Sequence, residues 1–390
     1  MPTQTTEAQA QSRSAPGVLS FLAHIVCGLA AAAALFSCQT VTTASQSSTP
    51  FGAVTTVYAG GYCFNDSNVT VPGYWKDAAW VRLSPLSESK SAMVTSLAWS
   101  DTGYVGMYAG GYCLNDSVVS VPGYWKASNW WIGLPAGSGF QDATVKSLLV
   151  TTGSYVFAGG YSANPASAPV PGYWNNGTWV PLTSMTSKKT AMVTSLSWSS
   201  AGLYAGGYSM DGSGVAVPCY WKDGLLVRLP PLRDSGNGFV TSLVVSGSMV
   251  IAGGFCIDDS GLQVPGYWTN GAWVGLALPS AANQGTVQSL VVSGSDVYAG
   301  GAVSFTPGGV TVPGYWKNGA WVGLSPLSAA KSTGVTSLAV SGTDVYAGGY
   351  SNNASNVVVP GYWKNGTWTG LPTLSTTKNA FVTSLAVISK

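Results

Sequence analysis

The sequence predicts an all-β protein, a seven-bladed β-propeller of four-stranded antiparallel blades, with the ring closed by the C-terminal strand pairing into blade 1. Three observations predict this fold. One pentamer recurs seven times at a spacing of 47 to 50 residues. Each interval contains four segments with the pattern of short strands. Finally, one strand is missing at the front of the repeat array and one is spare at its end.

The repeating pentamer is Val-Pro-Gly-Tyr-Trp or a one-letter variant of it. Its last residue occurs once in each unit, at Trp75, Trp125, Trp174, Trp221, Trp268, Trp316 and Trp363. A period near 48 residues is typical of repeat proteins, and the abundance of Gly, Pro and β-branched residues favours strands over helices. The repeat therefore predicts propeller blades.

The strands of a blade can be assigned in the last complete unit. Val335 to Val340 alternates as a strand does, and Val345 to Tyr350 follows after a turn. A polar segment leads to a third strand, Val357 to Trp363. The Asn-Gly pair at Asn365 then predicts a tight hairpin into a fourth strand, Thr367 to Leu371.

The first strand of each unit carries the motif Val-x-Ser-Leu, and its count predicts how the ring closes. The motif begins at Val94, Val145, Val193, Val240, Val287, Val335 and Val382. The first six copies are each followed by the other three strands of a unit, whereas no further strands follow the copy at Val382. The first unit, in contrast, has no copy of the motif before its double glycine. Pairing Val382 to Lys390 with unit one would remove two open sheet edges.

The N-terminal region differs from the repeats. Val18 to Phe36 is almost continuously apolar and ends in Leu35-Phe36-Ser37-Cys38, which resembles a bacterial lipoprotein signal. The resemblance implies a signal peptide over residues 1–37, lipidation of Cys38, a flexible tether over 38–50, a propeller over 51–390 and an exported protein anchored in the cell envelope. An ordinary secretory signal or a membrane-spanning anchor is the alternative.

A double glycine follows an aromatic or apolar residue and Ala in every unit. These pairs begin at Gly60, Gly110, Gly159, Gly206, Gly253, Gly300 and Gly348. With Tyr74 on the third strand and Trp80 opening the fourth, the order resembles the kelch repeat, which implies a propeller whose first strand is innermost. Unit four departs from it, since Leu226 replaces the second Trp. The combined signal and repeat also resemble repeat-built lipoproteins of spirochaetes.

Composition excludes several functions. Only 8% of residues are charged and no run of Lys or Arg occurs, so we expect no nucleic-acid partner. The only histidine, His24, lies in the predicted signal, which excludes histidine-based catalytic triads and metal sites from the exported protein, including the copper site of kelch-like oxidases. We expect no cofactor, free thiols rather than disulfides, and a monomer.

Candidate binding residues follow the double glycines, where the second strand ends and a loop begins. Variable loops on a rigid scaffold are common recognition sites. The candidates are Tyr62, Asn65, Asp66, Tyr112, Asn115, Asp116, Tyr161, Tyr208, Asp211, Phe255, Asp258, Asp259 and Tyr350. The adjacent acids Asp258 and Asp259 are also the only candidates for a catalytic or Ca²⁺ site.

Two other repeated residue types have both a structural and a functional interpretation. The tryptophans could stack on sugars, but large aromatics at fixed strand positions favour packing between blades. The seven serines of Val-x-Ser-Leu could bind a small ligand in the channel, but small side chains also suit a crowded axis. Packing is the favoured interpretation for both.

These observations predict a non-catalytic binding or scaffold propeller that recognises a protein or matrix partner through its long-loop face. A multivalent carbohydrate-binding lectin is the alternative. An enzyme that uses loop carboxylates is the third hypothesis. Propellers host all three functions, so the fold does not choose among them.

Overall fold

The computed structural model describes residues 54–100, 106–126, 129–137, 142–164 and 168–389. All regular structure in these ranges is β-strand, arranged as seven sheets of four antiparallel strands. The described residues include no helix long and apolar enough to cross a membrane. The predicted signal, Cys38 and the tether lie outside the described residues.

The 28 strands of these ranges are distributed over seven blades. Blade 1 contains β1 (Thr55–Phe64), β2 (Thr70–Lys76), β3 (Ala79–Arg82) and the last strand of the chain, β28 (Ala380–Ser389). Blade 2 contains β4 (Ala92–Trp99), β5 (Met107–Leu114), β6 (Ser120–Lys126) and β7 (Trp130–Gly133). Blade 3 contains β8 (Ala143–Val150), β9 (Val156–Ala163), β10 (Pro169–Asn175) and β11 (Thr178–Pro181). Blade 4 contains β12 (Ala191–Ser199), β13 (Gly202–Met210), β14 (Ala216–Lys222) and β15 (Leu225–Arg228).

Blade 5 contains β16 (Gly238–Ser246), β17 (Met249–Ile257), β18 (Gln263–Thr269) and β19 (Ala272–Gly275). Blade 6 contains β20 (Gln284–Ser293), β21 (Asp296–Ser304), β22 (Thr311–Lys317) and β23 (Ala320–Gly323). Blade 7 contains β24 (Thr333–Ser341), β25 (Asp344–Asn352), β26 (Val358–Lys364) and β27 (Thr367–Gly370).

The predicted ring closure is confirmed. Strand β28 pairs antiparallel with β1, with Ser389 opposite Thr55 and Ala380 opposite Cys63, and the sheet order is β28-β1-β2-β3. The last strand of the chain is therefore the innermost strand of blade 1. The pairing covers the inner edge of β1 and gives blade 1 the same four-strand order as the other six blades.

The hydrophobic core lies between blades rather than at one centre. Each cluster of buried side chains joins two neighbouring blades, as where Tyr298 of blade 6 packs with Leu338 and Trp363 of blade 7. The double glycines allow this close packing. A Cβ on Gly60 would lie 2.7 Å from Cγ of Leu97 in blade 2, so a side chain there would push the two blades apart.

The two ends of the blades differ. The loops between the second and third strands and the linkers between blades emerge at one end, which we call the long-loop face. The turns between the first and second and between the third and fourth strands emerge at the other end, the short-turn face. Turn residues such as Asn318 and Asn365 have positive φ, as the predicted Asn-Gly hairpins require.

Candidate functional site

The serines of Val-x-Ser-Leu form a closed ring of hydrogen bonds around the axis. Each serine Oγ accepts a bond of 3.0 Å from the leucine amide of the next blade. The donor and acceptor pairs are Leu97 to Ser384, Leu148 to Ser96, Leu196 to Ser147, Leu243 to Ser195, Leu290 to Ser242, Leu338 to Ser289 and Leu385 to Ser337. All seven serines are buried. They join neighbouring blades, which agrees with the favoured structural interpretation.

The residue before each serine is the extra, unpaired residue of a β-bulge on the innermost strand. In five blades it is a threonine whose Oγ1 lies 2.8 Å from a valine carbonyl of the next blade. These threonines are Thr95, Thr194, Thr241, Thr336 and Thr383. Blades 3 and 6 instead have Lys146 and Gln288, whose side chains are exposed.

The pentamer tryptophans also join neighbouring blades. Each indole N–H donates to a backbone carbonyl of the linker that leads into its own blade, as in the 2.7 Å bond from Trp75 to Pro372. The other six pairs are Trp125 to Ser84, Trp174 to Pro135, Trp221 to Thr183, Trp268 to Pro230, Trp316 to Ala277 and Trp363 to Ser325. All seven rings are buried, so they are core residues and not sugar platforms.

Blade 4 departs from the pentamer for a steric reason. In the other blades a Cβ on the pentamer glycine would overlap the second tryptophan, as Gly266 would overlap Trp273. Blade 4 has Leu226 in place of that tryptophan and Cys219 in place of the glycine. The smaller side chain leaves room for the cysteine, so the two departures compensate each other.

In six blades an aromatic residue follows the double glycine near the long-loop end of the second strand, whereas blade 6 has Ala302 there. We call Tyr62, Tyr112, Tyr161, Tyr208, Phe255 and Tyr350 the aromatic crown. All six are partly exposed. Burial, and then Tyr112 and Tyr350 of the adjoining blades, raise the pKa of Tyr62 to about 12. Burial, and then Tyr161, likewise raise the pKa of Tyr112 and of Tyr208, so neighbouring crown residues interact from blade 7 through blades 1 to 4. The crown is interrupted at blade 6, where Ala302 takes the aromatic position.

Two phenylalanines that the sequence did not single out complete the crown. Phe381 lies 5.2 Å from the ring of Tyr62 and 5.3 Å from that of Tyr350, so it connects blades 1 and 7. Phe239 lies between Tyr208 and Phe255 in the same way, at 5.0 and 5.1 Å. Both residues directly precede a Val-x-Ser-Leu motif, and this position is the signal that could have identified them.

Four of the predicted binding residues organise their own loops. The side-chain oxygens of Asn65, Asn115, Asp211 and Asp258 each accept the amide of the residue four positions later, at 2.9 to 3.0 Å. This is an Asx-type loop closure, which favours Asn and Asp for local reasons. A role for these four residues in ligand binding stays a prediction.

The residues that follow them in these loops are more accessible. Asp66, Asp116 and Asp259 are exposed. Asp116 accepts a 2.9 Å bond from the hydroxyl of Ser87, and Asp259 forms an ion pair of 2.6 Å with Arg233. Asp258 therefore closes its loop and Asp259 is paired with an arginine, while a catalytic or Ca²⁺ role for the pair stays a prediction.

A cleft of about 420 Å³ opens between blades 2 and 3 at the crown. Tyr112 and Tyr161 line it together with Asp142, Thr144 and Lys146. Its volume falls within the usual range for small-molecule sites, and its lining combines aromatic and polar groups as such sites do. The cleft therefore joins part of the predicted crown to three residues that the sequence did not propose for binding.

The cleft has a local cause. The residue that precedes Val-x-Ser-Leu is Phe or Met in blades 1, 2, 4 and 5. In blades 2 and 4 the methionine sulfur accepts the crown hydroxyl, with Tyr112 Oη 3.1 Å from Met93 Sδ. Blade 3 has Thr144 at this position, so its innermost strand offers Tyr161 neither Phe nor Met, and blades 6 and 7 likewise have Thr286 and Gly334 there.

The four cysteines of the described residues are buried free thiols, namely Cys63, Cys113, Cys219 and Cys256. Burial raises the pKa of Cys63 and of Cys113 to about 12. Thiols that remain protonated are poor nucleophiles and metal ligands. Within the described ranges no cluster of three or more His, Cys, Asp or Glu side chains could hold a metal ion.

The sequence matches no protein-family model, and no curated protein matches it. Solved structures give distant matches. The BP39L lectin of Burkholderia pseudomallei is 11% identical with a TM-score of 0.42, covering 81% of this chain and 95% of its own. A triple mutant of AofleA from Arthrobotrys oligospora is 13% identical with a TM-score of 0.41, and the match covers 74% of this chain and 87% of AofleA.

The fucose-binding, six-bladed lectin of Aleuria aurantia is 12% identical with a TM-score of 0.39, covering 71% of this chain and 94% of its own. Likeness at this level carries no functional argument. The blade number of the present protein rests on its own strand pairing. The kelch resemblance rests on the sequence motifs alone and stays a prediction.

Proposed function

We propose that this protein is a non-catalytic binding module that takes a saccharide ligand at the channel mouth on its long-loop face. The observation that supports this function best is the aromatic crown, in which six of the seven blades place a partly exposed aromatic side chain at the long-loop end of the second strand. Aromatic rings stack on the apolar C–H faces of sugars, while tyrosine hydroxyls serve their polar edges. We place one site at the cleft that Tyr112 and Tyr161 line, rather than one equivalent site in every blade as the repeat by itself would indicate.

The setting of this module is also a proposal. The apolar segment that ends in Cys38 supports an exported protein with a signal over residues 1–37, a lipidated cysteine and a tether to the cell envelope. The only histidine belongs to this signal. Its removal would leave the exported propeller without the side chain most used for acid–base catalysis, which supports a binding function over an enzymatic one.

Tyr161 offers the sharpest test, because it is a crown residue that also lines the cleft. The full-length chain and its Tyr161→Ala variant would be applied to a glycan array. We expect the intact chain to bind a subset of glycans and the variant to lose at least about tenfold in affinity. Tyr155→Ala is the matched control, because Tyr155 is 56% exposed on the short-turn face. An array without binding to any glycan contradicts the proposal.

A protein partner is the second candidate, and four leucines on the long-loop face favour it. Leu86, Leu232, Leu327 and Leu374 occupy equivalent linker positions and are 43 to 50% exposed. Exposed apolar side chains that recur around one face are typical of interaction surfaces. The amide of Leu327 donates to Ser351 Oγ at 2.8 Å, which fixes the linker that presents this side chain.

Partner capture from envelope extracts tests this second function. The double variant Leu327→Ser and Leu374→Ser should abolish capture of a defined protein. Leu225→Ser serves as control, because Leu225 is 73% exposed on the short-turn face. Trimming the loops at residues 63–70 and 113–120 should weaken capture as well. Capture that survives all of these changes rules out the long-loop face as the binding surface.

A further inference from the structure

Lys146 breaks the pattern of the innermost strands. In five blades the bulge residue is a threonine that bonds to the next blade, whereas Lys146 makes no such bond and is exposed to the cleft. Its ammonium is also unpaired, because no carboxylate of the described residues lies within 4.0 Å of it. A cation in a concave site without a counter-ion is a binding point for an anion.

The surroundings of Lys146 agree with this role. The Lys146 side chain is exposed as a whole but stands inside the cleft, where the surrounding protein removes part of its hydration and lowers the pKa of the amine, so the positive charge carries a desolvation cost. A bound anion would compensate that cost. Tyr112 and Tyr161 line the same cleft and have little Coulombic effect while their hydroxyls are protonated.

Among the described residues, Asp142 is the one carboxylate that lines the cleft, and it already has a structural partner. Its Oδ1 accepts the amide of Ser120 at 2.9 Å. The equivalent residues Asn237 and Asn379 accept the corresponding amides of their blades as neutral groups. The second oxygen of the Asp142 carboxylate can accept hydrogen bonds from ligand hydroxyls. Asp142 directly precedes strand β8 and Lys146 is the bulge residue of that strand, so their Cα atoms are at most roughly 13 Å apart and their side chains lie at different positions along the cleft.

We propose that the cleft between blades 2 and 3 binds an acidic sugar, a pyranose that carries a carboxylate. Lys146 pairs with the carboxylate, Tyr161 packs against the ring, and Asp142 accepts the hydroxyls at the far end. This assignment deepens and rests on the proposed saccharide function, since it names the ligand class and the residue that selects it.

The test compares four probes on the full-length chain by saturation-transfer NMR and calorimetry. Glucuronate represents the acidic sugar, glucose the matched neutral sugar, gluconate the acid without a ring and inorganic phosphate a simple anion. We expect glucuronate to bind at least about tenfold more tightly than each of the others, because a desolvated ion pair and ring packing act together. Equal affinity for glucuronate and glucose overturns the proposal but leaves the saccharide function intact.

Preferential binding of gluconate or phosphate would also overturn it, because the site would then select an anion without a pyranose ring. Binding of no sugar at all contradicts both the inference and the proposed function. The outcomes therefore distinguish failure of the acidic-sugar assignment from failure of the proposed saccharide function.

The decisive variant is Lys146→Thr, which installs the residue of five other blades and should therefore fold. It should lose the preference for glucuronate while retaining any binding of glucose. Lys146→Gln, which copies Gln288 of blade 6, repeats the test should the first variant unfold. Lys222→Thr is the control, because Lys222 lies on the short-turn face. Unchanged glucuronate affinity in both Lys146 variants overturns the assignment.

Discussion

The blade junctions and the channel mouth are built from neighbouring residues, but they differ in how strictly those residues repeat from blade to blade. At the junctions the same serine, leucine and tryptophan recur in all seven blades, buried and bonded at nearly constant distances. At the mouth the residues change from blade to blade, with Thr144 in place of Phe or Met and Lys146 in place of threonine. Uniformity marks the positions that hold the ring together, and departure from it marks the positions that are available to a ligand.

Removing the last strand should give the largest effect on the junctions. Deletion of Val382 to Lys390 would expose the inner edge of β1 and remove Ser384 and Leu385 from the ring of bonds. We expect unfolding or edge-to-edge aggregation, because open strand edges pair with other chains. Light scattering and thermal unfolding measure this outcome. A monomeric deletion product with an unchanged melting temperature would show that the ring does not depend on this closure.

The pentamer glycine should be the next most sensitive position. Gly266→Ala places a Cβ against Trp273 and should destabilise the protein by about 2–4 kcal/mol, because a packed core tolerates little added volume. Urea unfolding measures the change. Cys219→Ala in blade 4 is the matched control and should cost clearly less, since Leu226 already leaves space there. Equal costs would refute the compensation between Cys219 and Leu226.

Replacing a serine of the Val-x-Ser-Leu motif should have the next largest effect on stability. Ser242→Ala leaves the buried amide of Leu290 without its acceptor, which should cost about 1–3 kcal/mol of unfolding free energy. Ser260→Ala in an exposed loop should change stability by less than about 0.5 kcal/mol. Chemical denaturation of both variants provides the comparison. A Ser242 variant as stable as the control would mean that the serines fill space without joining the blades.

Substitutions at the bulge position should have the smallest effect on stability, and the effect should differ in sign between blade 5 and blade 3. Thr241→Val removes the bond to the Val287 carbonyl and should cost about 0.5–1.5 kcal/mol. Lys146→Thr should instead leave stability unchanged or raise it slightly, because it introduces that bond in blade 3. Urea unfolding of the two variants side by side tests the sign. Loss of stability in both would mean that Lys146 has a structural role.

Most of the fold follows from local pattern, whereas the site follows only in part. The seven repeats, the four strands of each blade and the pairing of β28 with β1 can be predicted because period, alternation and turn residues are local properties. The crown tyrosines can be identified as well, since each follows a double glycine. The sequence also predicts Asn65 and its equivalents as ligand contacts, but their loop closures depend on backbone geometry that the sequence does not display.

Phe239, Phe381 and Lys146 escape sequence reasoning for a different reason. Each lies in or directly before a Val-x-Ser-Leu motif, at a position whose importance depends on the side chains that neighbouring blades place beside it. Comparison of the repeats shows that these positions vary, but it does not show which side chains meet there. Only their contacts across a blade junction turn Phe381 into a bridge and Lys146 into an exposed cation.

The sequence alone determined the number of blades, their strand order and the way the ring is fastened, because a repeat that pairs with itself leaves few other arrangements. The tertiary structure decided which repeated residues are buried and between which blades a cleft forms. Closing a circle brings residues some fifty positions apart into contact, as Ser96 meets the amide of Leu148. Whether a side chain at that contact is bonded or free depends on two blades at once, and no single repeat contains that information.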